Sequence, residues 1–346
     1  MLVGLQDDAM VLYGNPTFTF GMLKQLRVQI VRINLNWDRV AKRRPAHPQD
    51  PADPAYDWDV YDRGVRYAGQ NGMQVLMTIL FVPSWANGGK PHNVPPTNYN
   101  DLRNFAYAAA TRYSGHYIPN TDRFDETYLP PIKYWLAWNE PSNPNWLQQV
   151  VGGRFVSPSS YARICTAIWQ GVHFTNFTGE KVGCGATGPR GNNQARSSRP
   201  SMSPVAFMRA TKRAGLRNLD AFAHHPYYGK PSETPTSRPG GTAIELGNIN
   251  TLIAEVNKLW GKKPIWITEY GWQTKPPDRL FGVSFARQAA YVRQSYAMAR
   301  ANPRIDLMVW FILRDDTNLG IGWQSGFLTA AGKRKPAFAA FARLPH

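Results

Sequence analysis

Two short runs carry the residues best suited to chemistry: Trp138-Asn139-Glu140-Pro141 and Ile267-Thr268-Glu269-Tyr270-Gly271-Trp272. Each sets one glutamate just past an apolar, β-branched stretch. Two carboxylates projecting from separate strand ends into one cleft are what acid/base cleavage of a glycosidic bond requires. A glutamate after a strand is more often a plain surface charge. The elements that carry Glu140 and Glu269 therefore decide whether they share a site.

Eight β-like runs recur along the chain, at 2–6, 29–36, 74–82, 132–138, 181–186, 221–225, 264–268 and 306–313. Most are near-continuous apolar runs, the pattern of parallel strands buried on both faces. Helical spacing falls between them, at 56–72, 98–114, 159–173, 204–213, 244–260 and 283–301, with 337–343 closing the chain. Alternating strands and helices with short connections predict a parallel sheet with right-handed crossovers. Eight such units predict a single (β/α)8 TIM barrel with elaborated loops, one catalytic domain over 1–346. An open dinucleotide-binding sheet would carry a Gly-rich turn after its first strand, where this chain reads Gln6-Asp7-Asp8-Ala9. The long irregular stretches 41–55, 83–97, 189–203 and 228–241 all come after strands, on the face where barrels keep their active sites. The last of them has the length to block one end of a cleft. On this reading Glu140 follows strand four, Glu269 follows strand seven, and the two face each other across the mouth.

The 346 residues are 43% hydrophobic, enough for a substantial core, and the 13% aromatic share includes 12 Trp. Flat aromatic faces suit sugar rings, although packing accounts for most such residues. A formal charge of +17 favours acidic partners. The basic residues are dispersed, with short clusters at Lys42-Arg43-Arg44 and Lys333-Arg334-Lys335, so no specific nucleic-acid role is expected. Cys165 and Cys184 lie in apolar settings and read as buried free thiols rather than a bridge. Neither has metal-ligand spacing, and no metal or cofactor is expected. No run reaches transmembrane length. The N-terminus has no basic-then-apolar leader and enters a strand at once. A secreted, monomeric mature domain without its leader is expected, with a cytoplasmic location as the alternative.

With Asn-Glu-Pro at the fourth strand and Thr-Glu-x-Gly-Trp at the seventh, the chain resembles clan A glycoside hydrolases over essentially its full length. These are retaining (β/α)8-barrel enzymes, and the likeness is to family 39 or to family 5, the broad cellulase family. The resemblance implies that Glu140 is the general acid/base and Glu269 the nucleophile. It implies that Asn139 hydrogen-bonds the sugar 2-hydroxyl and that Arg32 supports Glu269. His225 and Tyr227 match a His-x-Tyr motif whose tyrosine hydroxyl lies near the nucleophile. Trp310 matches a tryptophan beneath the reacting sugar.

The residues themselves add constraints. Arg32 is a charge inside a predicted buried strand and is costly unless paired, with Glu269 or elsewhere in the barrel. His224 and His225 are adjacent and cannot both line the barrel without a bulge, and no third ligand is spaced for a metal. Trp37, Trp85, Trp146 and Trp272 sit at strand ends or in mouth loops, as sugar platforms or as packing. Asp7, Asp8, Asp315 and Asp316 could reach sugar hydroxyls.

A retaining mechanism needs Glu269 ionised and Glu140 protonated. A raised Glu140 pKa is therefore expected, together with carboxyl groups about 5–5.5 Å apart. The expected activity is hydrolysis of a glycoside, oligosaccharide or polysaccharide, most directly at a β-linkage. A transglycosylase would use the same residues. A non-catalytic carbohydrate-binding barrel would be favoured had either glutamate been replaced.

Overall fold

The computed structural model describes residues 1–119, 128–175, 177, 179–318 and 322–345. Eight parallel strands close into a barrel in chain order. They are β1 (Leu2–Gln6), β2 (Ile30–Asn36), β3 (Gln74–Leu80), β4 (Tyr134–Ala137), β5 (Lys181–Thr187), β6 (Ala221–His224), β7 (Ile265–Tyr270) and β8 (Ile305–Phe311). One main helix follows each in turn: α1 (Pro16–Gln25), α2 (Asp59–Gln70), α3 (Tyr99–Arg112), α4 (Ser157–His173), α5 (Pro204–Arg213), α6 (Ile249–Trp260), α7 (Phe285–Ala301) and α8 (Pro336–Ala342). This is the (β/α)8 barrel that the alternation predicts.

The helices form where the sequence lets one stripe face the barrel. In α2 the buried residues are Tyr61, Gly64, Val65 and Ala68, at helical spacing. The sequence reading has no α1. Its apolar residues are not confined to one stripe, and Phe18 is left exposed. The start signal was nonetheless present: the Asn15 side chain accepts from Phe18 N, and Pro16 is the first helical residue.

Burial divides into two layers. Most apolar residues lie between barrel and helices. A smaller cluster fills the barrel itself, with Ile30, Leu76, Leu136, Trp266, Leu307 and Val309 among its members. Trp266 is the largest of these and crosses to β5, where only a glycine fits. A Cβ on Gly183 would lie 2.5 Å from Trp266 Cε3. Gly183→Ala is therefore expected to destabilise the fold by about 1–3 kcal/mol through overpacking. Urea denaturation checks this, and an unchanged midpoint would contradict the packing account.

The cysteines correct the sequence reading. Cys165 on α4 and Cys184 on β5 are joined in a disulfide, with Cα atoms 6.2 Å apart, and neither is a free thiol. Gly183 turns into the barrel, so alternation turns Cys184 outward onto the helix layer, where Cys165 meets it. An apolar setting suits a bridge as well as a thiol, and sequence spacing does not supply the distance.

Candidate active site

The cleft opens at the C-terminal ends of the strands, with a volume of about 690 Å³. Glu140, Glu269, Asn139 and Tyr227 all line it. The backbone at this rim is unusual. Phe81, Trp138, Glu140 and Ala186 all have positive φ, at 63°, 70°, 35° and 42°. Each costs on the order of 1–3 kcal/mol for a residue with a side chain. The kink after β4 hides Trp138 and presents Glu140, whose backbone N–H is held by the Ala186 carbonyl at 3.0 Å.

Glu269 is positioned by a fully buried arginine. Arg32 Nη1 donates to Glu269 Oε1 at 2.7 Å and to the Thr268 carbonyl at 3.0 Å. Its Nε donates to Thr78 Oγ1 at 2.9 Å, and Nη2 to Asn139 Oδ1 at 2.7 Å. The buried charge thus meets acceptors on barrel strands β3 and β7 and on the segment carrying Glu140. Tyr227 donates its hydroxyl to Glu269 Oε2 at 3.2 Å. Arg32→Leu would leave Glu269, only 8% exposed, without its counter-charge. A stability loss of about 3–5 kcal/mol is expected. Chemical denaturation measures it, and a loss below 1 kcal/mol would show that the pair does not hold the site.

Glu140 is gripped differently. His225 Nδ1 lies 3.1 Å from Glu140 Oε1 and 3.5 Å from Glu269 Oε2, while its Nε2 lies 2.9 Å from Thr268 Oγ1. Asn143 Nδ2 donates to Glu140 Oε2 at 2.8 Å. One carboxylate oxygen from each glutamate and one nitrogen of His225 fall within 4.8 Å of one another. Sequence spacing offered no third ligand beside the histidines, yet the fold supplies two carboxylates. Arg32 already neutralises one of them, which weakens the trio as a cation site.

The raised pKa expected for Glu140 is not what this setting produces. Burial pushes its carboxyl up, but the hydrogen bond and charge of His225, the Asn143 amide and the Arg32 charge together carry it below its ordinary value. These donors, which come from distant parts of the chain and from a turn, reverse the expected direction. His224 turns the other way, between Thr187 and the Ile244 carbonyl. Burial pushes its pKa down to about 3, so it stays neutral.

The tryptophans need the largest correction. Trp37, Trp272 and Trp310 are wholly buried and cannot offer a face to a sugar. Trp37 packs on Phe105 and Trp85, and Trp272 stacks on Tyr228 at 3.9 Å. Leu307 and Val309 point into the barrel, so Trp310 points out, stacked on Phe327 with its Nε1 donating to the Ser325 carbonyl. Its neighbour Phe311 faces the cleft instead. Trp85 is half-buried, bonded to the Ala41 carbonyl and covered by Arg44. Trp146 does line the cleft, and so does Trp323, which the sequence reading missed, 5.2 Å from Tyr227 and 5.3 Å from Phe311. Among the described residues lining the cleft, none comes from 228–241.

All four aspartates reach the cleft wall, but two are already committed. Asp7 accepts from Met10, Leu313 and Arg314 backbone N–H groups, and burial pushes it up to about 6. Asp315 pairs with the buried Lys335 at 2.7 Å. Asp8 is freer: it accepts from Asn34 N at 3.2 Å, and burial pushes its pKa to about 7. Near neutral pH it can therefore donate as well as accept towards a hydroxyl.

The sequence model of the family described as glycosyl hydrolase catalytic core matches residues 115–340. The chain belongs to that family. Among solved structures, this glycosyl hydrolase core is similar to a family 39 glycoside hydrolase from Bacteroides cellulosilyticus WH2, with TM-score 0.68 and 18% identity. The match covers 98% of this chain and 62% of that one. A glucosidase from Croceicoccus marinus matches with TM-score 0.67 and 15% identity, covering 99% of this chain and 66% of the other. Fungal β-1,4-galactanases match with TM-score 0.64 and 16% identity, covering 99% of both chains. The core thus spans less than two thirds of the length of the first two. No curated protein matches it by sequence. Among the described residues, no helix is long and apolar enough to cross a membrane.

Proposed function

We propose that the protein is a retaining glycosidase that hydrolyses β-linked glycosides by double displacement, with Glu269 as nucleophile and Glu140 as acid/base. The observation that carries this reading is the approach of the two glutamates, one oxygen of each lying within 4.8 Å of the other in one cleft. Retaining pairs stand about 5–5.5 Å apart, whereas inverting pairs need about 6.5–9.5 Å to admit a water. The different partners support different roles. Arg32 and Tyr227 hold Glu269 as an oriented anion aimed at the anomeric carbon. Glu140 gives a proton to the departing oxygen as the glycosyl–Glu269 ester forms. It then takes one from the water that attacks the anomeric carbon and releases Glu269. Glu140 favours its ionised form, so only the enzyme in which it is protonated is competent for the first step.

Preference for a β-linkage is supported by the clan A motifs. Secretion is supported by the disulfide, since such bonds persist in oxidising compartments. A screen of α- and β-linked aryl glycosides and of polysaccharides, followed by NMR of the first-formed product, tests the proposal. Product that first appears with the anomeric configuration of the substrate is expected. First appearance of the opposite anomer would overturn the retaining assignment.

A further inference from the structure

The segment 189–203, which follows β5, contains Arg190, Arg196 and Arg199 and no acidic residue. A crevice of about 230 Å³ runs under it and shares Glu140 and Pro189 with the main cleft. Asn143, Arg190, Arg199 and Ser201 are among the other residues that line it. Gly188 lets this segment pass close to the carboxylate, since a Cβ there would lie 3.1 Å from Glu140 Oε1. A proton donor sits on the side of the leaving oxygen, so whatever departs from the anomeric carbon lies beside Glu140, towards this crevice.

Its two lining arginines are not equivalent. Arg190 is matched by Glu245 and by Glu233, the latter at 3.8 Å, and also bonds the Tyr227 carbonyl. Arg199 is exposed and donates only to Asn145 Oδ1 at 3.3 Å. Among the described residues it has no carboxylate partner. The opposite part of the cleft, at the ends of β1 and β8, carries Asp7, Asp8, Asp315 and Asp316. Arg314 lines that wall too, and Asp315 is paired with Lys335, so the charge there is largely matched, whereas the leaving-group side of Glu140 holds an unmatched guanidinium. A planar guanidinium is suited to bidentate recognition of an anionic oxygen group.

We propose that this crevice is a leaving-group subsite for a sugar or other aglycone bearing an anionic oxygen group, a carboxylate or a sulfate, held by Arg199. The inference rests on Glu140 being the proton donor. It is tested at equilibrium by titrating the protein at low salt with D-glucuronic acid, D-glucose 6-sulfate and D-glucose. At least one anionic probe is expected to bind about tenfold or more tightly than D-glucose, and which one does so separates carboxylate from sulfate recognition. Arg199→Gln should bring that ratio near one, while Arg199→Lys keeps part of it. Arg287→Gln, an exposed change on α7, should leave it intact. Equal affinity for all three probes would overturn the proposal. So would an anion preference that survives Arg199→Gln, which would belong to the general +17 charge. Binding is read without turnover, so an error in the catalytic reading shows separately, as undiminished kcat/KM of Glu140→Ala on a glycoside with a poor leaving group.

Discussion

Glu269→Ala is expected to lower kcat by about four orders of magnitude or more on whichever glycoside the screen identifies, because no covalent intermediate can form. Added azide should restore part of the rate by entering the space the carboxylate leaves. It attacks from the same side in a single displacement, so the glycosyl azide must carry the inverted configuration. NMR of that product makes the test specific for a nucleophile. The alanine variant also leaves Arg32 without its 2.7 Å partner, so a folding defect could mimic lost chemistry. Glu269→Gln keeps an acceptor towards Arg32 and should be equally inactive while melting closer to the parent. Activity of the alanine variant within tenfold of the parent would remove Glu269 from the mechanism.

The barrel was legible because buried parallel strands advertise themselves as apolar runs, and those predicted starts differ from the structure by no more than two residues. The two glutamates were legible for the same reason, since a strand end fixes the face on which a side chain emerges. Residues whose role depends on rotation or on long-range approach were harder. Trp310 was assigned to the cleft from its motif, yet alternation from Leu307 and Val309 assigns Phe311 there. Trp323 sits in a segment without periodicity, and nothing local marks it. The Cys165–Cys184 bridge joins a helix to the next strand, a proximity set by how the helix packs on the sheet rather than by any local sequence signal.

Asn143 shows a different limit. It lies three residues beyond Glu140 in Ser142-Asn143-Pro144, a sequence that reads as a turn, and it does form one: its backbone N–H bonds the Glu140 carbonyl at 2.9 Å. The same turn carries its amide back to the Glu140 carboxylate. Turn chemistry and site chemistry are one feature here, and the sequence displays only the first.

Glu140→Ala provides the second large effect, and its signature differs from that of Glu269. For a glycoside with a poor leaving group, loss of general acid catalysis should lower kcat/KM by about 10²–10⁴. For a dinitrophenyl glycoside, whose leaving group departs without a proton, the first step should be nearly unaffected. The second step still lacks its base, so the glycosyl–Glu269 ester should accumulate and give a burst of phenolate. The pH profile carries the sign. Glu140 must be protonated for the first step, so kcat/KM falls as pH rises through its free-enzyme pKa. His225, Asn143 and Arg32 hold that carboxyl below its ordinary value, which places the alkaline limb at acid pH. Asn143→Ala removes a donor to the ionised form, raises the pKa and should move the limb to higher pH. Glu140→Ala should abolish it. A limb that stays in place in Asn143→Ala, or persists without Glu140, would assign the titration to another group, and Asp8, with a pKa near 7, is the next to replace.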